Sequence, residues 1–234
     1  MRIETQSFVA PATGEAIAVC QDAVHPTDSV DAQCLDFECA VADGATHSWK
    51  AGMWARLVAQ HGPALLRAGA SKEAHLVKLQ GTWKRRTESA ANGWFERQAQ
   101  MRGAGCTIAA LRIGDVCAPE VTRGPFRVSS IGDTCVFQVR NDCSWLVSHD
   151  GRTPQFTDQP SQVCTTSSAE DICQSEYICF GEWLSGDRFY MLTDKLAEWA
   201  LAQTWTWWTL LDLLMDLPAA DLRDCFVQKS AQPQ

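Results

Sequence analysis

The chain has 234 residues, 46% hydrophobic and 21% charged, the composition of an ordinary globular protein and length for one large domain. A chain of this size buries roughly 70% of its unfolded surface, so it needs no disulfide or metal staple to fold. Its formal net charge is -8 and its longest basic run is Lys84-Arg85-Arg86, which argues against a nucleic-acid partner; no apolar run approaches the ~18 residues of a membrane span.

Eleven cysteines are scattered from Cys20 to Cys225 without a single C-x-x-C, so no zinc ribbon or finger is spelled out. Most stand among apolar neighbours, as Cys106, Cys117 and Cys135 do, where a thiol behaves as a small hydrophobe. Residues 1–19 lack the basic start and continuous apolar core of a signal peptide. Together these features predict reduced cysteines and a cytoplasmic protein.

Residues 8–30 hold short apolar pieces broken by Pro11, Gly14 and Pro26, which reads as strand and loop. Leu35 to Ala42 begins with period-two alternation and turns apolar, a strand entering a core and stopping at Asp43-Gly44. Beyond it Trp54, Leu57, Val58 and His61 fall on one helical stripe, with Ser48 as the expected N-cap. A second helix is expected around Glu88 to Met101. Period two returns in Thr107 to Ile113, Phe126 to Ile131 and Val136 to Val139, the last two strands being joined at Gly132-Asp133. His149 to Ser175, rich in Pro, Ser, Thr and Asp, reads as a long surface loop. Arg188 to Leu192 is a short strand running to Asp194, and 196–214 reads as one helix whose tryptophans serve packing. A final helix is expected over 217–227. Strands and helices come in blocks, which favours an α+β layered sandwich over a doubly wound parallel sheet.

Two segments deliver an aspartate at the end of an apolar strand: Val41-Ala42-Asp43-Gly44 and Met191-Leu192-Thr193-Asp194. Asp22 follows a third apolar segment, Ala16 to Val19. An ionised carboxylate at the rim of a core is costly unless a cation or hydrogen bonds compensate it. Hard cations such as Mg²⁺ and Mn²⁺ take oxygen ligands of this kind. Taken singly, each aspartate also reads as a helix cap or turn former.

In chain order these segments resemble the motifs of PPM-type (protein phosphatase 2C-like) phosphatases, in particular a bacterial branch. Gln21-Asp22-Ala23 resembles the N-terminal Glu-Asp motif, and Phe37 to Thr46 resembles the strand and Asp-Gly that open the first metal site. Gly103 to Thr107 and Ile131-Gly132-Asp133 are similar to the segments of the central hairpins; Gly186 to Trp199 is similar to the Gly-Asp strand with the second Asp-Gly motif.

The resemblance implies a four-layer αββα sandwich of two packed antiparallel β-sheets flanked by helices, with residues 1–234 forming one domain. It implies two Mn²⁺ or Mg²⁺ ions. Asp43 would bridge them, the Gly44 carbonyl would touch one, and Asp194 would bind the other as a terminal ligand. Asp22 would act through waters, orienting solvent, and Asp133 would brace the hairpin behind the site. The ions would make a shared water available to attack phosphorus in line, with no covalent phosphoenzyme. The implied substrate is a phosphorylated protein, in a setting linked to a Ser/Thr kinase.

The chain departs from the family pattern at four places. Gln21 stands for glutamate. Ala45 and Thr46 replace the His-Gly that commonly follows Asp-Gly, leaving His47 two positions on. Lys195 follows Asp194 where glycine is common. The last strand pair, with its Asp-Asp or Asp-Asn, is not found, and Asp221 and Asp224 are no substitutes; the expectation is a domain without that pair. Two functions follow: a metal-dependent phosphatase for phosphoserine or phosphothreonine, or a weak or silent relative that binds a phosphoprotein or partner. A cysteine hydrolase is disfavoured, since no Cys lies on a nucleophile turn with a His placed to activate it.

Overall fold

The computed structural model describes residues 1–7, 9, 20–46, 48–88, 93–114, 121–149, 154, 156–157, 159–203 and 206–215. Its strands are β1 (Arg2–Thr5), β2 (Ala23–His25), β3 (Val30–Gln33), β4 (Phe37–Gly44), β5 (Gly105–Ile113), β6 (Arg123–Ile131), β7 (Cys135–Arg140), β8 (Cys143–Leu146), β9 (Val163–Cys164), β10 (Tyr177–Leu184) and β11 (Arg188–Leu192). Its α-helices are α1 (Ala51–Arg67), α2 (Lys72–Glu88), α3 (Trp94–Arg102), α4 (Ala169–Ser175), α5 (Asp194–Ala202) and α6 (Trp207–Met215).

All described strand pairings are antiparallel. The larger sheet runs β10-β6-β5-β4-β2 with β9 attached to β5, a second runs β11-β7-β8, and β1 pairs with β3 apart from both. Three hydrophobic cores separate the layers. Ala40, Ala42, Cys106, Ile108 and Ala110 of the larger sheet meet Trp54, Val58, Leu65, Leu76 and Trp83 of α1 and α2. On that sheet's other side Ala109, Leu111, Phe126 and Val128 meet Val136, Phe189 and Met191 of the second sheet. Cys135, Phe137, Val139 and Leu192 then pack on Ala197, Ala200, Trp207 and Leu211 of α5 and α6. This is the expected αββα order. Period-two alternation in β5 and β7 sends neighbouring residues into different cores, which is why both strands are almost wholly buried.

Several local expectations change. Ser48 does not cap α1: Lys50 occupies that position in a left-handed conformation, and the Ser48 hydroxyl donates to Ala45 O and accepts from Gly105 N. Trp54, Leu57 and Val58 are buried as the stripe requires, but His61 faces solvent. The helix expected around 88–101 is α3, which starts later, at Trp94; α2, which ends at Glu88, was not anticipated. The segment 149–175 is not a surface loop throughout. Val163 is fully buried and its carbonyl accepts from Trp54 Nε1 at 2.7 Å; Ile172 of α4 is buried too, with Ser168 and Asp171 forming a capping box. The helix expected over 196–214 is two, α5 and α6, and Trp207 and Trp208 are core residues. Trp205, the apolar segment 16–19 and the helix expected over 217–227, with Asp221 and Asp224, lie outside the described residues. None of the nine described cysteines is in a disulfide.

Two polar devices hold the layers. Lys72 of α2 and Glu176, just before β10, form an ion pair of 2.6 Å, their side chains only 6% and 4% exposed. Asp187, in the turn between β10 and β11, accepts from Arg140 Nε and Nη2 at 2.8 and 2.7 Å, from Gln138 Nε2 at 2.7 Å and from Leu184 N at 2.8 Å.

Candidate metal centre

The three aspartates singled out by their place after apolar segments come together at one end of the sandwich. Strand β2 pairs with β4 in the register Ala23↔Ala42, so Asp22, one residue before β2, continues that register opposite Asp43. Asp43 is still within β4, facing Thr107 of β5, so the strand runs through it and ends at Gly44. Asp194 follows the other sheet, two residues after the end of β11, as the first residue of α5. Asp43 and Asp194 therefore meet across the two sheets rather than on adjacent strands of one.

Asp22 and Asp43 lie side by side, close enough for one proton to be shared between their carboxyls. Burial, the Asp22 charge and hydrogen bond, and the charges of Asp194 and Asp133 push Asp43 up to about 9. Burial likewise raises Asp22, with Asp194 adding to it, while hydrogen bonds from Asp43 and Thr193 oppose the rise. Asp133 is 4% exposed and is raised by burial and by Asp194, against a backbone hydrogen bond and the nearby Lys195. Four like-charged groups are thus gathered in a partly desolvated place.

The backbone around them is tightly built. A Cβ on Gly44 would lie 2.8 Å from Gln21 O and 3.0 Å from the Ala51 carbonyl carbon, so only glycine lets β4, the Asp22 segment and the start of α1 close together. Gly132 turns with φ +91, and a Cβ there would meet Ser161 O at 2.6 Å. The turn is held by a 2.6 Å hydrogen bond between the buried hydroxyls of Thr107 and Thr134 and by a 2.7 Å bond from His149 Nε2 to Gly132 O. Asp133, expected to brace this hairpin, also puts its charge within reach of Asp43.

The donor set suits a hard cation: carboxylates only, mutually repelling, with Gln21 Oε1 buried nearby and without a hydrogen-bond partner among the described residues. Among the described residues no three His, Cys, Asp or Glu side chains form a ready cage around one point. The carboxylates stand instead as a close pair, Asp22 and Asp43, with two neighbours. Ala45 is half-buried and Thr46 exposed, and His47 lies outside the described residues. The exposed Lys195 places Nζ 3.4 Å from Glu198. Thr193 and His149 were not picked out from sequence; Thr193 is adjacent to a marked aspartate, whereas nothing near His149 signals its contact with Gly132.

The protein phosphatase 2C family model matches residues 15–222, so the chain belongs to the protein phosphatase 2C family. Among solved structures, a point variant of a bacterial serine phosphatase is 12% identical, aligning over 89% of this chain and 83% of that one with a TM-score of 0.51. The catalytic domain of serine threonine protein phosphatase PstP, in complex with 2 manganese ions, is 14% identical over 97% of this chain and 89% of that one, TM-score 0.49. No curated protein matches the chain. Among the described residues no helix is long and apolar enough to cross a membrane.

Proposed function

We propose that this chain is a metal-dependent protein phosphatase that hydrolyses phosphoserine or phosphothreonine in protein substrates, with residues 1–234 acting as one domain. The observation that carries the reading is the meeting of Asp22, Asp43, Asp133 and Asp194, with Asp43 holding its proton up to about 9. Such a group relaxes when a divalent cation takes the place of the proton. Asp43, the Gly44 carbonyl and Asp194 would hold two Mn²⁺ or Mg²⁺ ions, and Asp22 would orient solvent beside them. When bound, the ions supply Lewis acidity toward the phosphoryl oxygens and lower the pKa of water.

The chain's own residues do the rest. The Thr193 hydroxyl, at the start of α5, favours the charged form of Asp22, while Asp43 stands beside it. A cation held there would compete with the proton on Asp43, and Asp22 would be left to accept from water beside it. The clamped Gly132 turn keeps Asp133 at a fixed place behind Asp43 and adds to the negative field that draws the cations in.

The test is hydrolysis of p-nitrophenyl phosphate and a phosphothreonine peptide with Mn²⁺, beside Asp43→Asn. Manganese-dependent turnover lost in Asp43→Asn supports the proposal. Manganese binding by calorimetry without turnover would point to a silent phosphoprotein-binding relative, a reading favoured by the absence of His-Gly after Asp43-Gly44.

A further inference from the structure

Residues 84–102 run against the charge of the chain. They hold five cations, Lys84, Arg85, Arg86, Arg97 and Arg102, against two carboxylates, Glu88 and Glu96, a net charge of +3 within a protein of -8. The same stretch carries three of the most exposed large apolar side chains: Trp94 at 60%, Phe95 at 78% and Met101 at 73%. Large apolar groups exposed together, beside cations, mark an interaction surface.

Helical spacing explains the arrangement. On α3, Trp94, Arg97 and Met101 follow one another at i, i+3 and i+7, with Phe95 and Arg102 alongside. Gln100 faces the other way, its Nε2 donating to Thr87 Oγ1 at 3.0 Å, which ties α3 to the last turn of α2 and its basic run. The Glu96 carboxylate folds back over Gly93 at the start of α3, away from the exposed stripe and toward the positive end of the helix. Among the described residues no carboxylate pairs with Lys84, Arg86, Arg97 or Arg102. The Trp94 and Phe95 rings meet edge to face at 4.9 Å, a small rigid platform.

The C-terminal end of α3 also leads directly to the candidate metal centre. Gly103 ends α3, and two residues later Gly105 opens β5, where its carbonyl accepts from Ala45 N beside Asp43-Gly44. A helix of 9 residues spans about 14 Å, the length of about four residues of extended chain. We infer that the α3 face, with the basic end of α2, docks the acidic, apolar-containing sequence that flanks the phosphorylated residue of a protein substrate. A partner of that chemistry satisfies both halves of the face: carboxylates meet the guanidinium groups, and one or two apolar side chains cover Trp94, Phe95 and Met101. This rests on the phosphatase reading for the role of the bound segment, not for the binding itself.

The experiment separates the two. Fluorescein-labelled phosphothreonine peptides, identical but for Glu/Leu, Ser/Leu or Lys/Leu flanks on either side, are titrated by anisotropy with the full chain and with Arg97→Glu/Arg102→Glu and Trp94→Ala/Phe95→Ala. All three proteins are also assayed with p-nitrophenyl phosphate and Mn²⁺. The Glu/Leu peptides should bind best; each double variant should weaken them about tenfold, the charge variant's loss fading as salt screens it. Turnover of p-nitrophenyl phosphate should be the same in all three. If p-nitrophenyl phosphate is not hydrolysed at all, the phosphatase reading fails while anisotropy still decides the docking. Equal binding of the three flanks, or unchanged binding in both variants, overturns the inference. So does binding of phosphatidylserine vesicles or of poly-uridine RNA with no preference among the peptides, which would assign the face to a lipid surface or to nucleic acid.

Discussion

Asp22 and Asp43 stand opposite each other where the β2–β4 register continues, close enough to share a proton, with Thr193 beside Asp22. One proton thus sits between two acids from paired segments, and it gives the first prediction. Without cations, Asp43 titrates near 9 in the folded chain and near 4 when unfolded, so between those values the folded state binds the extra proton. Stability of the chelated protein should therefore fall as pH rises from about 4 to about 9. Asn at position 43 removes that slope. Thermal melts in EDTA should show Asp43→Asn several degrees above wild type at pH 8 and close to it at pH 5. Parallel profiles would count against the assignment.

Thr193→Val removes the hydroxyl that favours the charged form of Asp22 and keeps the shape. Manganese affinity, read by calorimetry, should drop about 10–100-fold with little change in melting temperature, as for other residues that orient ligands from behind.

Gly44→Ala puts a methyl group 2.8 Å from the Gln21 carbonyl oxygen. The backbone has to part, costing about 1–3 kcal/mol in denaturant unfolding and displacing Asp22 from Asp43, so turnover should fall more than stability.

Lys72→Met leaves Glu176 buried against only the more distant Arg127, 3.7 Å away. The single change should cost about 2–4 kcal/mol, and Lys72→Met/Glu176→Leu should recover most of it, since an apolar pair needs no desolvation of charge. Urea midpoints for the two proteins check the order.

Asp187 is raised by burial, but hydrogen bonds from Arg140, Leu184 and Gln138 outweigh this and hold it below the usual carboxylate range. With a lowered folded pKa, its contribution is complete above the unfolded value near 4 and disappears as pH falls through the folded one. Asp187→Asn should lose about 1–3 kcal/mol at pH 7 and less at pH 3, with metal-dependent turnover kept.

The features most legible in the sequence were those where one physical signal dominates. Asp22, Asp43 and Asp194 stood out because each follows an apolar segment, and the central strands because alternation is strict where both faces are buried. Helix α2 was missed because only Leu76, Leu79, Trp83 and Thr87 line its inner side, a stripe one residue wide, and because its buried cation, Lys72, reads as solvated until Glu176 is found across the fold. Strand β10 was missed because Ile178 and Phe180 point outward, 40% and 74% exposed, and blur the alternation. Val163 of β9 is paired to β5 and hydrogen-bonded by Trp54, more than a hundred residues away, and no local pattern announces such contacts.

Asp43 belongs to one sheet and Asp194 to the other, so any ion gripped by both would act as a rivet through the middle of the sandwich. Loading should then slow amide exchange in β4 and β11 together, and emptying it should let the two sheets slip at that end first. The molecule's rigidity and its readiness for chemistry would rise and fall with the same occupancy.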